Sequence, residues 1–337
     1  MWSHLVSTQI NHKLQSMNDM KKIFVILLSI MPLIAWANVR MTISDGIDNA
    51  QIKGKMESTI SAILTEVNKA QAEGRDLRLG AIGVPENVQV SMSMLWENSP
   101  FVCTDEEIVE HCLTTGSGYQ IRNIPLEMRP VSDEEFNESE YQEAVISFDK
   151  QGRLESFYLS ISMNLYMNVV RGNKELTDLR RRQLILDYVE KFRTSYNQKD
   201  IHFLEQIFSD DALIITGKVI KQKKDHIALP DKIVYKKQTK QEYLTNLRRV
   251  FAANSYIRVT FDDIKVMRHP VNPNFYGVTL HQGYTSNNYH DEGYLFLLWD
   301  FTDEDMPQIH VRTWQPDQIN GGRIPEDEIF SLSDFDI

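Results

Sequence analysis

The sequence lacks the short motifs by which the common nucleotide, hydrolase and zinc sites are identified. It contains no glycine-rich phosphate loop, no G-x-S-x-G turn, no HExxH helix and no CxxC pair. These absences remove the motif-based grounds for assigning a nucleotide-binding enzyme, an α/β-hydrolase or a zinc protease. We therefore predict neither a cofactor nor a metal ion for this chain.

Basic residues are fewer than acidic ones, 36 against 47, which gives a formal net charge of −11. A surface of this charge repels a polyanion on average, so nucleic acid is not an expected partner. One stretch departs from the trend, because eight lysines lie between Lys218 and Lys240. We interpret this stretch as a solvated polar insertion, and the alternative is electrostatic attraction of an anionic partner.

An apolar run near the N-terminus indicates the compartment. Two lysines precede the run at residues 23–34, and the sequence Ala-Trp-Ala follows it at residues 35–37. This order is typical of a secretory signal peptide, and the run is shorter than the roughly 20 residues of a membrane-spanning helix. We expect a true start at Met20, removal of region 1–37, and export to the periplasm or the medium with no membrane span left in the mature protein.

Cysteine is nearly absent from the sequence. Cys103 and Cys112 are the only two in 337 residues. In an exported chain an even pair suggests one disulfide, so these two are disulfide candidates. The alternative is two free buried thiols.

The mature chain is predicted to contain two α+β domains, at 38–172 and 173–316, and an acidic tail at 317–337. The boundary is the polar, glycine-containing segment 171–174. Apolar residues at helical spacing predict a first helix that ends at Gly74. Two apolar runs, 144–148 and 154–162, flank a short turn and predict a hairpin. We expect the tail to be extended or loosely docked.

The second half predicts a long amphipathic helix, Leu176 to Tyr196, and a second short helix capped by Asp200. A brief strand follows at residues 213–215, and a short helix at residues 241–251. Four strands complete the pattern, at residues 256–268, 275–285, 293–301 and 308–314. Turn-forming residues separate these strands, so they are expected to form an antiparallel meander.

This order of elements resembles the NTF2-like superfamily, which includes SnoaL-like cyclases, ketosteroid isomerases and non-enzymatic binding modules. The similar motifs are YNQKDIHFL at 196–204, FSDDALII at 208–215 and IHVRTW at 309–314. The resemblance covers residues 176–316 and implies an α+β cone, a helix laid across the concave face of a curved antiparallel sheet. The first half has a similar order, and it is either a degenerate second copy or an unrelated α+β domain.

Several residues are candidates for a site in this cone. Strict alternation along the last strand predicts that His310, Arg312 and Trp314 share one face. On the concave side they would supply a titratable base and a fixed cation. Asp211 and His281 are further acid–base candidates. Tyr188, on the long helix, is a candidate ligand-binding residue together with Arg312 and Trp314.

The sequence favours an exported, non-catalytic binding or interaction module whose partner is an unknown protein or small molecule. A homodimer through the outer sheet face is also expected, and Trp299, Trp314 and Tyr256 would suit that face. The alternative is a lyase, isomerase or hydrolase of the SnoaL type. A cone filled by side chains favours the module, whereas an open cavity that joins two of Asp211, His281, His310 and Arg312 favours the enzyme.

Overall fold

A computed structural model describes residues 38–128, 140–172, 179–224 and 227–335. The predicted signal region, 1–37, lies outside the described residues. From Asn38 onward the chain forms one compact unit with two large hydrophobic cores. Within the described part, no helix is both long enough and apolar enough to cross a lipid bilayer.

The first half forms a five-stranded sheet covered by two helices. The sheet order is β2-β5-β6-β7, with β4 also paired to β5, while β1 pairs in parallel with β3. The predicted first helix is confirmed, with Asn49 as its N-cap and Gly74 at φ +60° as its C-cap. The elements are β1 Arg40–Ile43, α1 Ala50–Glu73, α2 Glu86–Asn98, β2 Phe101–Val102, β3 Glu107–Glu110, β4 Cys112–Thr114, β5 Gly118–Met128, β6 Glu140–Asp149 and β7 Leu154–Leu159.

The second half forms a six-stranded sheet in the order β10-β11-β12-β13-β8-β9. The predicted meander is confirmed as four neighbouring antiparallel strands, β10 to β13, and only the β13–β8 pair is parallel. The elements are α3 Met163–Gly172, α4 Leu179–Gln198, α5 Ile201–Ile207, β8 Phe208–Lys224, β9 Ile227–Thr239, α6 Lys240–Ala253, β10 Ile257–Arg268, β11 Phe275–Ser286, β12 Tyr289–Asp300, β13 Gln308–Pro316, β14 Gln318–Ile319 and β15 Gly322–Arg323.

The lysine-rich stretch is not the predicted insertion after a brief strand. It belongs to two long paired strands, β8 and β9, and β9 is an edge of the sheet. The β-branched residues Val219, Ile233 and Val234 lie among the lysines and favour extended backbone. Exposed lysines are compatible with an edge strand, which explains why polarity alone gave the wrong prediction.

Helix α4 lies between the two halves and is fixed to both by buried polar contacts. Glu190 forms a fully buried ion pair with Arg122 of β5 and accepts a hydrogen bond from the Ile161 amide at 2.9 Å. Arg193 donates to the Ser160 carbonyl at 2.6 Å and to the Val259 carbonyl at 2.8 Å. The two cores are therefore joined by hydrogen bonds as well as by the chain.

The two cysteines are buried free thiols, so the disulfide candidate is not formed. Cys112 pairs with Ile121 of β5, whereas Val102, next to Cys103, pairs with Glu127. About five residues of β5 separate the two positions, which is about 16 Å at 3.3 Å per residue. A disulfide requires Cα atoms within about 7 Å.

The C-terminal tail is docked rather than extended. Leu332 is buried, and the rings of Phe330 and Phe335 pack with it on the outer face of the sheet, against Phe296 and Val311. The Gln315 side chain donates to the Glu328 carbonyl and accepts from the Phe330 amide, both at 2.9 Å. The tail thus covers a strip of the face through which a homodimer is expected.

Candidate functional site

The space between α4 and the concave face of the second sheet is filled by side chains. Large rings from both elements meet there, and Phe192 lies edge-on to Trp299 with ring centroids 6.5 Å apart. Trp299 is fully buried in this core, and Tyr256 is also buried, so neither is available for an outer dimer face. The other filling residues include Phe208, Leu280, Leu295, Leu297 and Phe301.

A β-bulge in β13 separates the candidates that alternation had placed on one face. Val311 pairs with Leu298 of β12, and Ile309 pairs with the next residue, Trp299, so His310 is the extra residue between them. Arg312 lies opposite Leu297 on the concave side, and Trp314 lies opposite Leu295 on the same side. His310 is on the outer face, so the prediction that it shares a face with Arg312 and Trp314 is wrong.

Arg312 is held by aromatic side chains inside the cone. Its guanidinium lies 5.0 Å from the Tyr243 ring centroid, and it hydrogen-bonds to Tyr196. The Tyr196 and Tyr243 hydroxyls are 2.5 Å apart. Trp314 packs over Gly293, where an added Cβ would approach its ring to 2.9 Å. Arg312 and Trp314 are therefore in contact with other side chains and with backbone of the cone, and they contribute to its packing.

His310 and Asp211 meet in a groove on the outer face. His310 Nδ1 lies 3.7 Å from Asp211 and Nε2 lies 3.8 Å from Asp300, both beyond hydrogen-bonding distance. A hydrogen bond from the Ser209 hydroxyl lowers the pKa of Asp211. The groove has a volume of about 610 Å³ and is otherwise lined by Leu213, Val311, Phe335 and other mainly apolar residues.

His281 is surrounded by carboxylates at another place on the outer face. Its Nδ1 lies 2.6 Å from Asp262, and its Nε2 lies 3.3 Å from Asp317. Burial would lower the pKa of His281, but hydrogen bonds to Asp262 and Asp317 outweigh it and raise that pKa. The carboxylate partners of His281 are thus Asp262 and Asp317, whereas Asp211 lies near His310.

Tyr188 lines a polar cavity of about 400 Å³, which we call the α4 cavity. The turn at residues 115–117 and strands β5 to β7 supply one wall, α4 supplies the second, and the loop between β12 and β13 supplies the third. The Tyr188 hydroxyl donates to the Asp305 carbonyl at 2.8 Å. The other lining residues include Gln120, Ser147, Glu155, Tyr158, Asp187, Lys191 and Glu304.

Most charges in the α4 cavity are paired with one another. Lys191 forms a 2.8 Å ion pair with Asp187, and Arg180 forms a 2.7 Å ion pair with Glu304. Burial would lower the pKa of Lys191, but the nearby charge of Asp187 outweighs it and raises that pKa. Burial raises the pKa of Glu155. The other polar groups of the lining are mainly hydroxyls and amides.

Sequence reasoning found Tyr188 but missed the rest of this cavity. Gly116 and Ser117 belong to the turn that forms one wall. Asp187 and Lys191 are four residues apart on α4, which is the spacing of a helical ion pair. That spacing was a visible signal, but only the contact between α4 and the first sheet makes it part of a cavity.

Comparison with known proteins identifies a domain within the second half. Residues 230–310, from β9 to β13, match the family described as the Cds6 C-terminal NTF2-like domain. Part of this chain is an NTF2-like domain. Its cone of helices on a curved sheet is the α+β fold expected from the sequence. No curated protein matches the sequence.

Several solved structures are similar to this chain. Bd1075 from Bdellovibrio bacteriovorus is 14% identical with a TM-score of 0.32, and the match covers 49% of this chain and 45% of that one. An NTF2-like protein from Cytophaga hutchinsonii is 15% identical with a TM-score of 0.31, and the match covers 40% of this chain and 98% of that one. A scytalone dehydratase-type protein from Novosphingobium aromaticivorans is 9% identical with a TM-score of 0.32, and the match covers 44% of this chain and 91% of that one.

Proposed function

We propose that this protein is an exported, non-catalytic binding module that holds a small, uncharged polar ligand in the α4 cavity. The observation that carries the proposal is the contrast between two spaces beside α4. The cone is filled by buried rings and aliphatic side chains, whereas the α4 cavity has about 400 Å³ of space and a polar lining. Small-molecule sites typically have volumes of about 300–1,000 Å³.

The expected ligand is rich in hydroxyl or amide groups. A charged ligand would find few partners there, because Lys191 and Arg180 are already paired with carboxylates. Neutral donors and acceptors line the cavity on Gln120 and Ser147, and the tyrosine rings offer flat apolar surface beside them. The hydrogen bonds of the Gln120 amide, to Asp187 and from Arg122, are long at 3.5 Å. Buried Ser147 Oγ has no hydrogen-bond partner among the described residues, so a ligand hydroxyl would satisfy it.

Ser147→Ala tests this site with little risk to the fold. Removing a hydroxyl without a partner should leave the unfolding free energy unchanged or slightly higher. A thermal-shift screen of sugars, polyols, amides, amines and carboxylates on the full mature chain identifies the ligand class, and titration calorimetry gives its Kd. We expect a neutral hydroxylated compound to bind, and the variant to bind it about fivefold more weakly, the equivalent of one hydrogen bond of about 1 kcal/mol.

Thr313→Val is the matched control, because Thr313 Oγ1 is also buried without a described partner but lies outside the cavity. It should leave ligand affinity unchanged. His310→Ala tests the competing function, a lyase, isomerase or hydrolase centred on the outer groove with Asp211 and His310. A ligand whose binding survives Ser147→Ala but is abolished by His310→Ala would contradict the α4 cavity and favour the enzyme.

A further inference from the structure

The His281 cluster contains the donor set of a cation site, although the sequence indicates no metal. His281, Glu292 and Asp317 each offer one ligand atom, and these atoms all lie within 4.8 Å of one another. The His281 Nε2 to Asp317 distance is 3.3 Å. Two ligands bound to one ion at about 2.1 Å in tetrahedral geometry are about 3.4 Å apart.

The strand register explains why the three residues converge. Gly283 of β11 pairs with Glu292, and His281 pairs with Tyr294, so Glu292 and His281 lie on the same outer face. The Asp317 amide donates to the Glu292 carbonyl at 3.4 Å, which places Asp317 beside β12. Glycine at position 283 leaves space between the histidine and the glutamate on this face.

Asp262 orients the histidine for coordination. It lies 2.6 Å from Nδ1 of His281, so a proton on Nδ1 leaves the Nε2 lone pair directed at Asp317. Histidines that bind metals usually donate their second ring N–H to a carboxylate in this way. Asp262 is the extra residue of a bulge between Phe261 and Asp263, and the bulge directs it toward the ring.

We propose that His281, Glu292 and Asp317 bind a divalent transition-metal ion of the zinc type, with Asp262 as the positioning residue. One imidazole and two carboxylates form a mixed nitrogen and oxygen set, which suits zinc better than magnesium or calcium. Asp317 is buried, whereas Glu292 is exposed. Water would complete the coordination from the solvent side. The ion would join β11 and β12 to the segment at which the tail begins.

The test uses the mature chain without an affinity tag. Equilibrium dialysis against Zn²⁺, with Mg²⁺ in parallel, should show one equivalent of Zn²⁺ and a clear preference over Mg²⁺. Co²⁺ should give a visible absorption band that Zn²⁺ removes by competition. Asp262→Asn should weaken Zn²⁺ binding about tenfold or more, and His281→Ala and Glu292→Gln should weaken it further.

His202→Ala is the control, since His202 is an exposed histidine on α5 near one carboxylate, Glu205. It should not change Zn²⁺ affinity. Glu292→Gln keeps the test valid if His281→Ala fails to fold, because Glu292 is exposed. Wild-type protein that binds no Zn²⁺ at up to 1 mM, or binding that persists unchanged in both Glu292→Gln and Asp262→Asn, would overturn the proposal.

Discussion

Glu66 shows how one carboxylate on α1 fixes the chain that follows the helix. It accepts hydrogen bonds from Arg75 Nη1 at 2.6 Å and from the Arg78 amide at 2.7 Å. Burial would raise the pKa of Glu66, but the hydrogen bonds from Arg75 and Arg78 outweigh it and lower that pKa. The ionised form is therefore favoured by the folded state.

Glu66→Gln should lower the unfolding free energy by about 1–3 kcal/mol at pH 7, as for loss of hydrogen bonds to a charged group. A carboxyl whose pKa is lower in the folded state contributes stability above its unfolded pKa, and loses that contribution as pH falls through the folded value. The difference between wild type and variant should therefore shrink below about pH 4.5. Urea denaturation of both proteins at pH values from 7 to 3 measures this difference in unfolding free energy.

Glu73→Gln is a suitable comparison, since Glu73 contacts the same arginine but is about one-third exposed. Its effect should stay below about 1 kcal/mol. A Glu66→Gln deficit that is the same at pH 3 as at pH 7 would show that packing, not charge, explains the contact.

At the scale of elements, α4 is the structure on which the others depend. It covers the concave sheet with Phe192 and Tyr196, lines the α4 cavity with Tyr188, and holds the first sheet through Glu190. Arg122, the partner of Glu190, also lies over the Tyr166 ring at 3.9 Å. A buried charge that loses its partner is costly, so the two residues should behave as one unit.

A double-mutant cycle on Arg122→Met and Glu190→Gln measures this coupling. Each single change should cost about 3–5 kcal/mol of unfolding free energy, and the double change should cost clearly less than the sum. Glutamine can still accept from the Ile161 amide, so that contact is kept. If the loss of unfolding free energy in the double variant equals the sum of the two single losses to within about 0.5 kcal/mol, the pair is not coupled.

The elements that the sequence predicted well are those with strong periodicity. The helices α1 and α4 and the four-strand meander follow from regular apolar spacing. The positions of His310 and Asp262 could not be predicted in this way, because each lies at a β-bulge. Alternation assumes that every residue of a strand has one partner on the neighbouring strand. The α4 cavity was also out of reach, since Gln120 and Ser147 lie far from α4 in the sequence and carry no motif.

At the scale of the whole molecule, the export proposal has a direct consequence for the mature chain. Expressed in a bacterial host from Met20, the protein should be recovered from the periplasm or the medium with Asn38 as its first residue. Fractionation and intact-mass measurement check this, and a chain that begins at Asn38 should stay in the cytoplasm. Recovery of uncleaved protein from the cytoplasm would contradict export.

The edge strand β9 has a consequence for how copies of this protein meet. An unpaired strand edge can recruit a strand from a neighbour and start aggregation. Here Lys232, Lys236 and Lys237 stand exposed along that edge, and a second copy aligned beside it would bring ammonium groups together with strands about 4.8 Å apart. The repulsion would oppose the growth of a continuous sheet from copy to copy through this edge.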